Sequence, residues 1–379
     1  MGRPRAGARD RLTRRRAVHT SAAESPIICV VTTTPDPALG TLIVSPLASR
    51  IRDERVRLRI VGKTTEALRA RGCREVVVVE AGESGLILQA AEAAVRDGSS
   101  VVAIAGGDGT LRDAAGALAG TGVAMGIVPC GTGNLYASSI GVPRNLDRAV
   151  AALATGVPRA FDMGEVRLEA PGPPAGAEDA AAAAAGDAAD AAAGDAAAAA
   201  AAATPALRPG SMPFLVACGT GFDARVITAT SRDMKRRYGV AAYFLAASGL
   251  LEHLTPSPTV LTIDGVRTEL ESVVVLVANC GEAIPGVLRP RLPIDPADGL
   301  LHVFVLPRGG VLGGIIGALE LMTAAAAGRS PSGAAMRLAG TRVRVEVVPA
   351  GPTEVDGDPF PVASLDARVR PGALSVILG

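Results

Sequence analysis

VVAIAGGDGT, residues 101–110, joins an apolar run to a turn with three glycines. The first five residues are apolar and small or β-branched, which is typical of a strand buried on both faces of a sheet. Residues 111–118 follow as a predicted helix. Strands at 41–44 and 75–80 and helices at 51–70 and 86–96 precede this unit. The resulting βαβαβ pattern predicts parallel strands joined by right-handed crossovers.

The glycine turn is suited to phosphate. Glycine at positions 106, 107 and 109 permits positive φ and lets an anion approach the main-chain N–H groups, which the start of the following helix supplements. A lone carboxylate would repel phosphates, so Asp108 is expected either to balance a divalent cation or to order the loop. A tight structural turn without a ligand is the alternative, because glycine turns are common between strands and helices.

A second glycine loop, CGTGN at residues 130–134, follows another short apolar strand at 126–129. It offers N–H groups, and the Thr132 hydroxyl and the Asn134 amide are further polar partners. Loops that follow parallel strands converge at one edge of the sheet, where α/β sheets bind ligands. We therefore expect the two glycine loops to share one site.

Further short motifs accompany these loops. In order, the chain contains GGDGT (106–110), IVPCGTGN (127–134), GVP (141–143), GTGFDA (219–224), DGLL (298–301) and DGDP (356–359). The set resembles the diacylglycerol kinase catalytic-domain family, and in particular its bacterial soluble lipid kinase-like proteins, from about residue 41 to the end. Relatives of this family include sphingosine, ceramide and NAD kinases.

The element order and the resemblance together predict two domains. An α/β domain with a parallel sheet is expected at residues 41–160, where it binds the nucleotide. A mainly antiparallel β-sandwich is expected at 161–379, where it binds the lipid substrate, because short strands alternate with turns there. Residues 1–40 are predicted to be a disordered, Arg-rich extension, apart from a short strand at 27–31. Residues 171–210, of which 22 are alanine, are predicted to be a disordered insert because they have no apolar face to dock.

The resemblance implies roles for individual residues. It implies a general base at Asp358, a position that is Glu in many family members, and a catalytic carboxylate at Asp108. It implies a Mg²⁺ site formed by the carboxylate of Asp298 with backbone oxygens of Asp295 and Leu300, although Asp298-Gly299 also fits an ordinary hairpin turn. The implied nucleotide contacts are Gly106, Gly107, Asp108, Gly109, Thr110, Leu111 and Arg112 in the first loop and Thr132, Gly133 and Asn134 in the second.

Composition excludes several classes of protein. A net charge of +1 and an aromatic content of 2% without tryptophan give no basis for nucleic-acid binding. Five cysteines without a Cys-x-x-Cys pair indicate a reducing compartment, rather than a disulfide framework or a zinc site. The most apolar long segment, residues 310–328, is interrupted by glycines and Glu320, so a core helix is favoured over a membrane span.

The leading hypothesis is an ATP-dependent, Mg²⁺-requiring kinase that phosphorylates the hydroxyl of a diacylglycerol-like lipid. Such an enzyme would be cytoplasmic, with transient peripheral contact at the inner face of the membrane; a homodimer is left open. The basic run at 235–237 is either a solvated face or a contact with anionic headgroups. Alternatives are a sphingoid, ceramide or NAD kinase, or a non-catalytic nucleotide- or lipid-binding regulator. The regulator is suggested by Arg112-Asp113, where the family usually has Asn-Glu.

Overall fold

The fold is given by a computed structural model that describes residues 29–30, 39–169, 207–221, 256–281, 294–307, 336–360 and 364–379. The helices are α1 (Glu54–Ala70), α2 (Ser84–Arg96), α3 (Asp108–Leu118), α4 (Leu135–Ser139) and α5 (Leu146–Thr155), with a 3-10 turn at Ser49–Ile51. The strands are β1 (Cys29–Val30), β2 (Leu39–Val44), β3 (Glu75–Glu80), β4 (Val101–Gly106), β5 (Ala124–Pro129), β6 (Val157–Glu169), β7 (Ser211–Phe214), β8 (Ala217–Gly221), β9 (Ser257–Ile263), β10 (Val266–Ala278), β11 (Leu301–Pro307), β12 (Met336–Gly340), β13 (Arg342–Val347), β14 (Thr353–Val355), β15 (Asp358–Phe360) and β16 (Ser364–Leu378).

The parallel part of the sheet has the strand order β3-β2-β4-β5-β16, which confirms the predicted parallel sheet. Every residue of β4 and β5 is buried. Helices α2 and α3 pack on one face of these strands, and α1 and α5 pack on the other. This double cover explains why β4 and β5 are continuous apolar runs rather than alternating ones.

The helices α1 and α3 differ in how their N-terminal N–H groups are capped. The Asp53 carboxylate accepts N–H bonds from Arg55 (2.9 Å) and Val56 (3.1 Å), so α1 begins at Glu54. Helix α3 differs, because its N-cap is Gly107 and no side chain caps it. The first N–H groups of a helix have no partner inside the helix. The start of α3, which follows the first glycine loop directly, is therefore suited to receive an anion.

The C-terminal part is an antiparallel β-sandwich, as predicted. Strand β6 pairs with β16 from Glu169↔Ser364 to Val157↔Leu378, and β13, β9, β10 and β8 extend the antiparallel ladder. A separate apolar core fills this part, with Phe214, Val275 and Val303 among its fully buried members.

Strand β16 joins the two parts of the molecule. Its residues Ser375 and Val376 pair in parallel with Ala124 and Met125 of β5, whereas its first half pairs antiparallel with β13. The register with β6 shifts between Arg370 and Leu374, and Gly372 in this bulge has a φ of 58°. Such a φ favours glycine. The last strand of the chain therefore completes the sheet that carries the two glycine loops.

Several elements were not predicted. Helix α4 and strand β12 are absent from the sequence-based interpretation, as is the hairpin of β14 and β15, which has three residues on each side of the turn Asp356-Gly357. Three residues are too few to show a period of two. Long-range pairing supplies the missing information, because β14 adds to the sheet through Thr353↔Thr220.

Some predictions lie outside the described residues. These are the core helix expected at 310–328, the basic run at 235–237 and most of the Ala-rich segment 171–210. The last four residues of that segment are described, and Arg208 donates from Nε to Glu165 (2.8 Å) and from a terminal nitrogen to Asp366 (2.9 Å). The prediction of disorder for 171–210 was therefore wrong for residues 207–210. In the described ranges, no helix has the length and apolar character that crossing a membrane requires.

Candidate active site

The two glycine loops are in direct backbone contact at the carboxyl ends of β4 and β5. The Gly106 carbonyl accepts N–H bonds from Cys130 (2.8 Å) and Gly131 (3.2 Å). A Cβ atom on Gly131 would lie 2.5 Å from the Cα of Gly107, and one on Gly107 would lie 3.2 Å from the Cα of Gly131. Only residues without side chains permit this approach. The expected convergence of the two loops is therefore present.

The physical reason for these glycines differs from the predicted one. None of Gly106, Gly107 and Gly109 has a positive φ, so the expectation of a left-handed turn was wrong. Close packing explains two of the positions, because a Cβ on Gly106 would lie 2.5 Å from the Cβ of Thr110, and Gly107 meets Gly131. At Gly109 a Cβ would meet nothing within 4 Å. That position leaves open space beside the first turn of α3.

Asn134 holds the second loop in shape. It is 6% exposed and adopts the left-handed conformation, with a φ of 52°. Its side chain accepts the Gly131 N–H at 2.9 Å and donates to the Gly131 carbonyl at 2.8 Å. Asparagine tolerates this conformation better than most residues. Its role in the structure is thus to close the loop, with both polar atoms of the amide engaged.

Asp108 connects the first loop to the second. It is the first residue of α3, and its carboxylate accepts the Tyr136 N–H at the start of α4, at 3.2 Å. Burial raises the pKa of Asp108, and the N–H groups of Leu135, Tyr136 and Asn134 lower it by a smaller amount. Of the two roles expected for this carboxylate, ordering the loop has direct geometric support.

The remaining residues of the two loops divide into exposed and buried ones. Thr132 is exposed, and its hydroxyl donates to the Ser49 hydroxyl at 3.1 Å. A Cβ on Gly133 would lie 3.2 Å from a carboxylate oxygen of Asp108. Thr110 is buried against Gly106 and Leu111 is 0% exposed in the core. For Leu111, only main-chain atoms are therefore suited to touch a nucleotide.

A third loop, residues 45–50 after β2, lies beside the second glycine loop. The Arg50 N–H donates to the Cys130 carbonyl at 3.0 Å. The Arg50 guanidinium donates to the carbonyls of Pro129 (2.9 Å) and Arg144 (2.8 Å). No role was assigned to Arg50 from the sequence. The structure thus brings loops from three neighbouring parallel strands to one edge.

The hairpin of β14 and β15 reaches the same edge through Arg112. A terminal nitrogen of Arg112 in α3 donates to the Asp358 carboxylate at 2.8 Å and to the Val355 carbonyl at 3.2 Å. The Asp358 side chain is 55% exposed. The predicted base therefore lies next to the predicted nucleotide loop, although 246 positions separate Arg112 from Asp358 in the sequence.

Asp356 has a different environment from Asp358. Its carboxylate accepts the N–H groups of Leu215 (2.9 Å), Val216 (2.8 Å) and Ala217 (3.1 Å) between β7 and β8. Burial raises the pKa of Asp356 to about 6, against the lowering effect of these donors. Asp356 is therefore a structural anchor of the hairpin, and Asp358 is the carboxylate that solvent can reach.

The predicted metal loop is anchored by Asp162, which sequence reasoning missed. Asp162 is 3% exposed, and it accepts the N–H groups of Gly299 (2.6 Å) and Gly372 (2.8 Å). Strand β6 also contains Arg159, Glu165, Arg167 and Glu169, so no local signal in the sequence singles out Asp162. Burial raises the pKa of Asp162, and the nearby charges of Asp298 and Asp295 raise it further, against the lowering effect of the two N–H donors.

The oxygen atoms of this loop are of the kinds that bind a hard cation. Carboxylate and carbonyl oxygens are the ligands that Mg²⁺ prefers, and a cation would relieve the repulsion among the three carboxylates. The Asp298 carboxylate already accepts the Leu300 N–H at 3.0 Å and lies 2.9 Å from Nε2 of His302. Among the described residues, no group of three or more His, Cys, Asp or Glu side chains is arranged to hold a metal. A site here therefore depends on the backbone oxygens of Asp295 and Leu300.

Comparison with known proteins agrees with this architecture. The diacylglycerol kinase catalytic domain matches residues 42–166, and the YegS C-terminal NAD kinase beta sandwich-like domain matches residues 216–378. A solved structure of a diacylglycerol kinase from Bacillus anthracis superposes with a TM-score of 0.63 at 18% identity, over 90% of this chain and 96% of that one. At this level of identity the superposition shows the fold.

Sequence relatives identify the family. A probable lipid kinase YegS-like protein of Pseudomonas fluorescens is 30% identical over 324 residues, which cover 84% of this chain and 90% of that protein. An uncharacterized protein of Synechocystis is 23% identical over 292 residues, which cover 76% of this chain but 57% of that protein. The chain belongs to the diacylglycerol kinase catalytic-domain family, among the YegS-like lipid kinases that carry an NAD kinase-like β-sandwich.

Proposed function

We propose that this protein is an ATP-dependent kinase that phosphorylates the hydroxyl group of diacylglycerol, or of a closely similar lipid, to give phosphatidate. The observation that carries the proposal is the junction of Arg112 with Asp358. It joins a solvent-accessible carboxylate to the helix that starts at the first glycine loop. A kinase needs its general base beside its phosphate-binding loop, because the acceptor hydroxyl must meet the γ-phosphoryl group.

In the proposed reaction, the glycine loops hold the phosphates of ATP. The N–H groups at the start of α3, which no side chain caps, supply donors, and the exposed Thr132 hydroxyl supplies another when it turns from Ser49 to the phosphate. Asp358 accepts the proton of the lipid hydroxyl while the hydroxyl oxygen bonds to the γ-phosphorus. The bond from that phosphorus to the β,γ-bridging oxygen breaks, and ADP leaves. Asp108 keeps the two loops in register through the Tyr136 N–H.

Mg²⁺ is the proposed metal, with Asp298, Asp295 and Leu300 as its protein ligands. When bound, such an ion supplies positive charge that neutralises phosphate. The family relationship supports ATP as the phosphoryl donor. Because the acceptor is a lipid, we propose that the protein acts in the cytoplasm with transient contact at the inner face of the membrane.

The test is ATP consumption by the purified protein with diacylglycerol, ceramide, sphingosine and NAD in parallel. We expect turnover with diacylglycerol. The variant Asp358→Asn keeps size and hydrogen bonding but removes the proton acceptor, so its kcat is expected to fall about 10²–10⁴-fold with ATP affinity within a few fold. Asp358→Glu, which restores the length common in the family, should keep or raise activity.

Asp147→Asn is a matched control for the base. Asp147 pairs with Lys63 at 2.7 Å and its side chain is 60% exposed, close to the 2.8 Å and 55% of Asp358. It lies on α5, so its loss should leave kcat unchanged. Turnover of diacylglycerol by Asp358→Asn at the rate of the parent would move the base elsewhere. If the parent turned over only ceramide, sphingosine or NAD, the proposed substrate would be wrong. If the parent turned over none of the four acceptors, a non-catalytic binding regulator would be favoured.

A further inference from the structure

Arg112 occupies an unusual position between the nucleotide loop and the predicted base. Its side chain leaves the first turns of α3 and is 12% exposed. One terminal nitrogen donates both to the Asp358 carboxylate in β15 and to the Val355 carbonyl at the end of β14. A single guanidinium thus bridges both strands of the hairpin, on the two sides of the turn Asp356-Gly357.

The charges around Arg112 favour a persistent contact. Its Nε lies 3.4 Å from the Asp113 carboxylate. Burial lowers the pKa of Arg112, but the carboxylates of Asp113, Asp358 and Asp356 outweigh it, so the pKa is raised overall. Arginine fits this position because its planar guanidinium donates hydrogen bonds to several acceptors in fixed directions. A lysine ammonium is a point charge whose N–H directions are not fixed in this way.

The two strands of the hairpin differ in their support. The turn and β14 are held by the three N–H bonds to the Asp356 carboxylate and by the Gly357 N–H, which donates to the Glu354 carboxylate at 2.7 Å, whereas β15 is an edge strand. Among the strands that the structure describes, β15 pairs with β14 only, through three residues, and β14 pairs with β8 through three residues. Short edge elements with few pairing bonds open at a low free-energy cost. Among the described residues Asp358 has one partner, Arg112, and that contact uses one of its two carboxylate oxygens. The second oxygen remains available for a proton.

We propose that Arg112 is a positioning residue that holds the Asp358 carboxylate and the β14–β15 hairpin against the start of α3. This inference rests on the proposed function, because it concerns how the base keeps its distance from the phosphate loop. An ion pair with a half-exposed carboxylate contributes little to global stability. The contact is therefore expected to matter for local order and for turnover more than for unfolding.

The first test does not depend on turnover. Amide hydrogen exchange is measured over residues 353–360 in the parent, Arg112→Gln and Arg112→Lys. Loss of a charge-assisted hydrogen bond in Arg112→Gln should speed exchange in the hairpin about tenfold, and Arg112→Lys should restore part of the protection. Arg57→Gln is the matched control, since Arg57 pairs with Glu80 at 3.1 Å with a side chain that is 16% exposed; it should leave the hairpin unchanged. Unchanged exchange in Arg112→Gln would overturn the proposal.

The second test is a double-mutant cycle on kcat. We expect Arg112→Gln to lower kcat by up to about 10²-fold, since a misplacement of about 1 Å can have that effect, with the KM for ATP within a few fold. In the Asp358→Asn background the same substitution should add little, because its effect acts through the base. Additive losses with a raised KM for ATP would instead make Arg112 a nucleotide contact and refute positioning. If the parent turns over nothing while the hairpin loosens in Arg112→Gln, the contact is upheld and the kinase proposal fails.

Discussion

Substitution of Gly131 by alanine tests whether contact between the two glycine loops is the basis of the site. The added Cβ would lie 2.5 Å from the Cα of Gly107 and 2.9 Å from the Asn134 side-chain oxygen. Carbon atoms pack at about 3.5–4.0 Å, so the two loop backbones must separate by roughly 1 Å. The displacement also strains the paired bonds between Gly131 and Asn134, at 2.9 Å and 2.8 Å.

The expected cost follows from these contacts. Overpacking in a closely packed region costs about 1–3 kcal/mol, and weakening two hydrogen bonds adds about 1 kcal/mol. We therefore expect Gly131→Ala to lose about 2–4 kcal/mol of unfolding free energy. In the proposed site the N–H groups of both loops bind the phosphates of ATP, so affinity for ATP should also fall when the loops move apart.

Urea denaturation and ATP titration measure the two effects. Two alanine variants calibrate the result. Gly107→Ala should be milder, since its Cβ would lie 3.2 Å from Gly131. Gly62→Ala in α1, where a Cβ meets nothing within 4 Å, should be stabilising by about 0.5–1 kcal/mol. Parental stability together with parental ATP affinity in Gly131→Ala would refute the reasoning that close approach of the loops makes the site.

Three other perturbations probe the rest of the chain. Arg208→Ala should cost about 3 kcal/mol in urea denaturation, because it leaves the fully buried Glu165 carboxylate short of a partner; a loss under about 1 kcal/mol, the scale of an exposed pair, would contradict this. Deleting residues 175–203, which keeps Arg208, should leave the melting temperature and turnover nearly unchanged, since loop-closure entropy varies slowly with length, and a large fall would mean that the segment is docked. The pKa of Asp356 is raised from its ordinary value of 3.8 to about 6, so this carboxyl contributes stability below its unfolded pKa and loses it as the pH rises through about 6; the urea midpoint should fall as the pH rises from about 4 to about 6 in the parent and less so in Asp356→Asn.

Sequence alone determined the features that rest on local composition. The apolar runs of β4 and β5 and the glycines that follow them predicted a parallel sheet with two loops at one edge, because strand burial and chain direction follow from short-range pattern. The ordered motifs also identified the family. The hairpin residue Asp358 was assigned by that resemblance, since nothing local distinguishes it from Asp356.

Tertiary structure alone decided how these pieces meet. The pairing of Arg112 with Asp358, the anchoring of the 295–300 loop by Asp162 and the return of β16 to β5 all join segments far apart in the chain. It also showed that Gly107 and Gly131 are glycine because two backbones touch, rather than because φ is positive. Such facts depend on which atoms of distant segments occupy the same space. A residue's local sequence sets its conformational preferences, but its neighbours across the sheet are set by the packing of the whole chain.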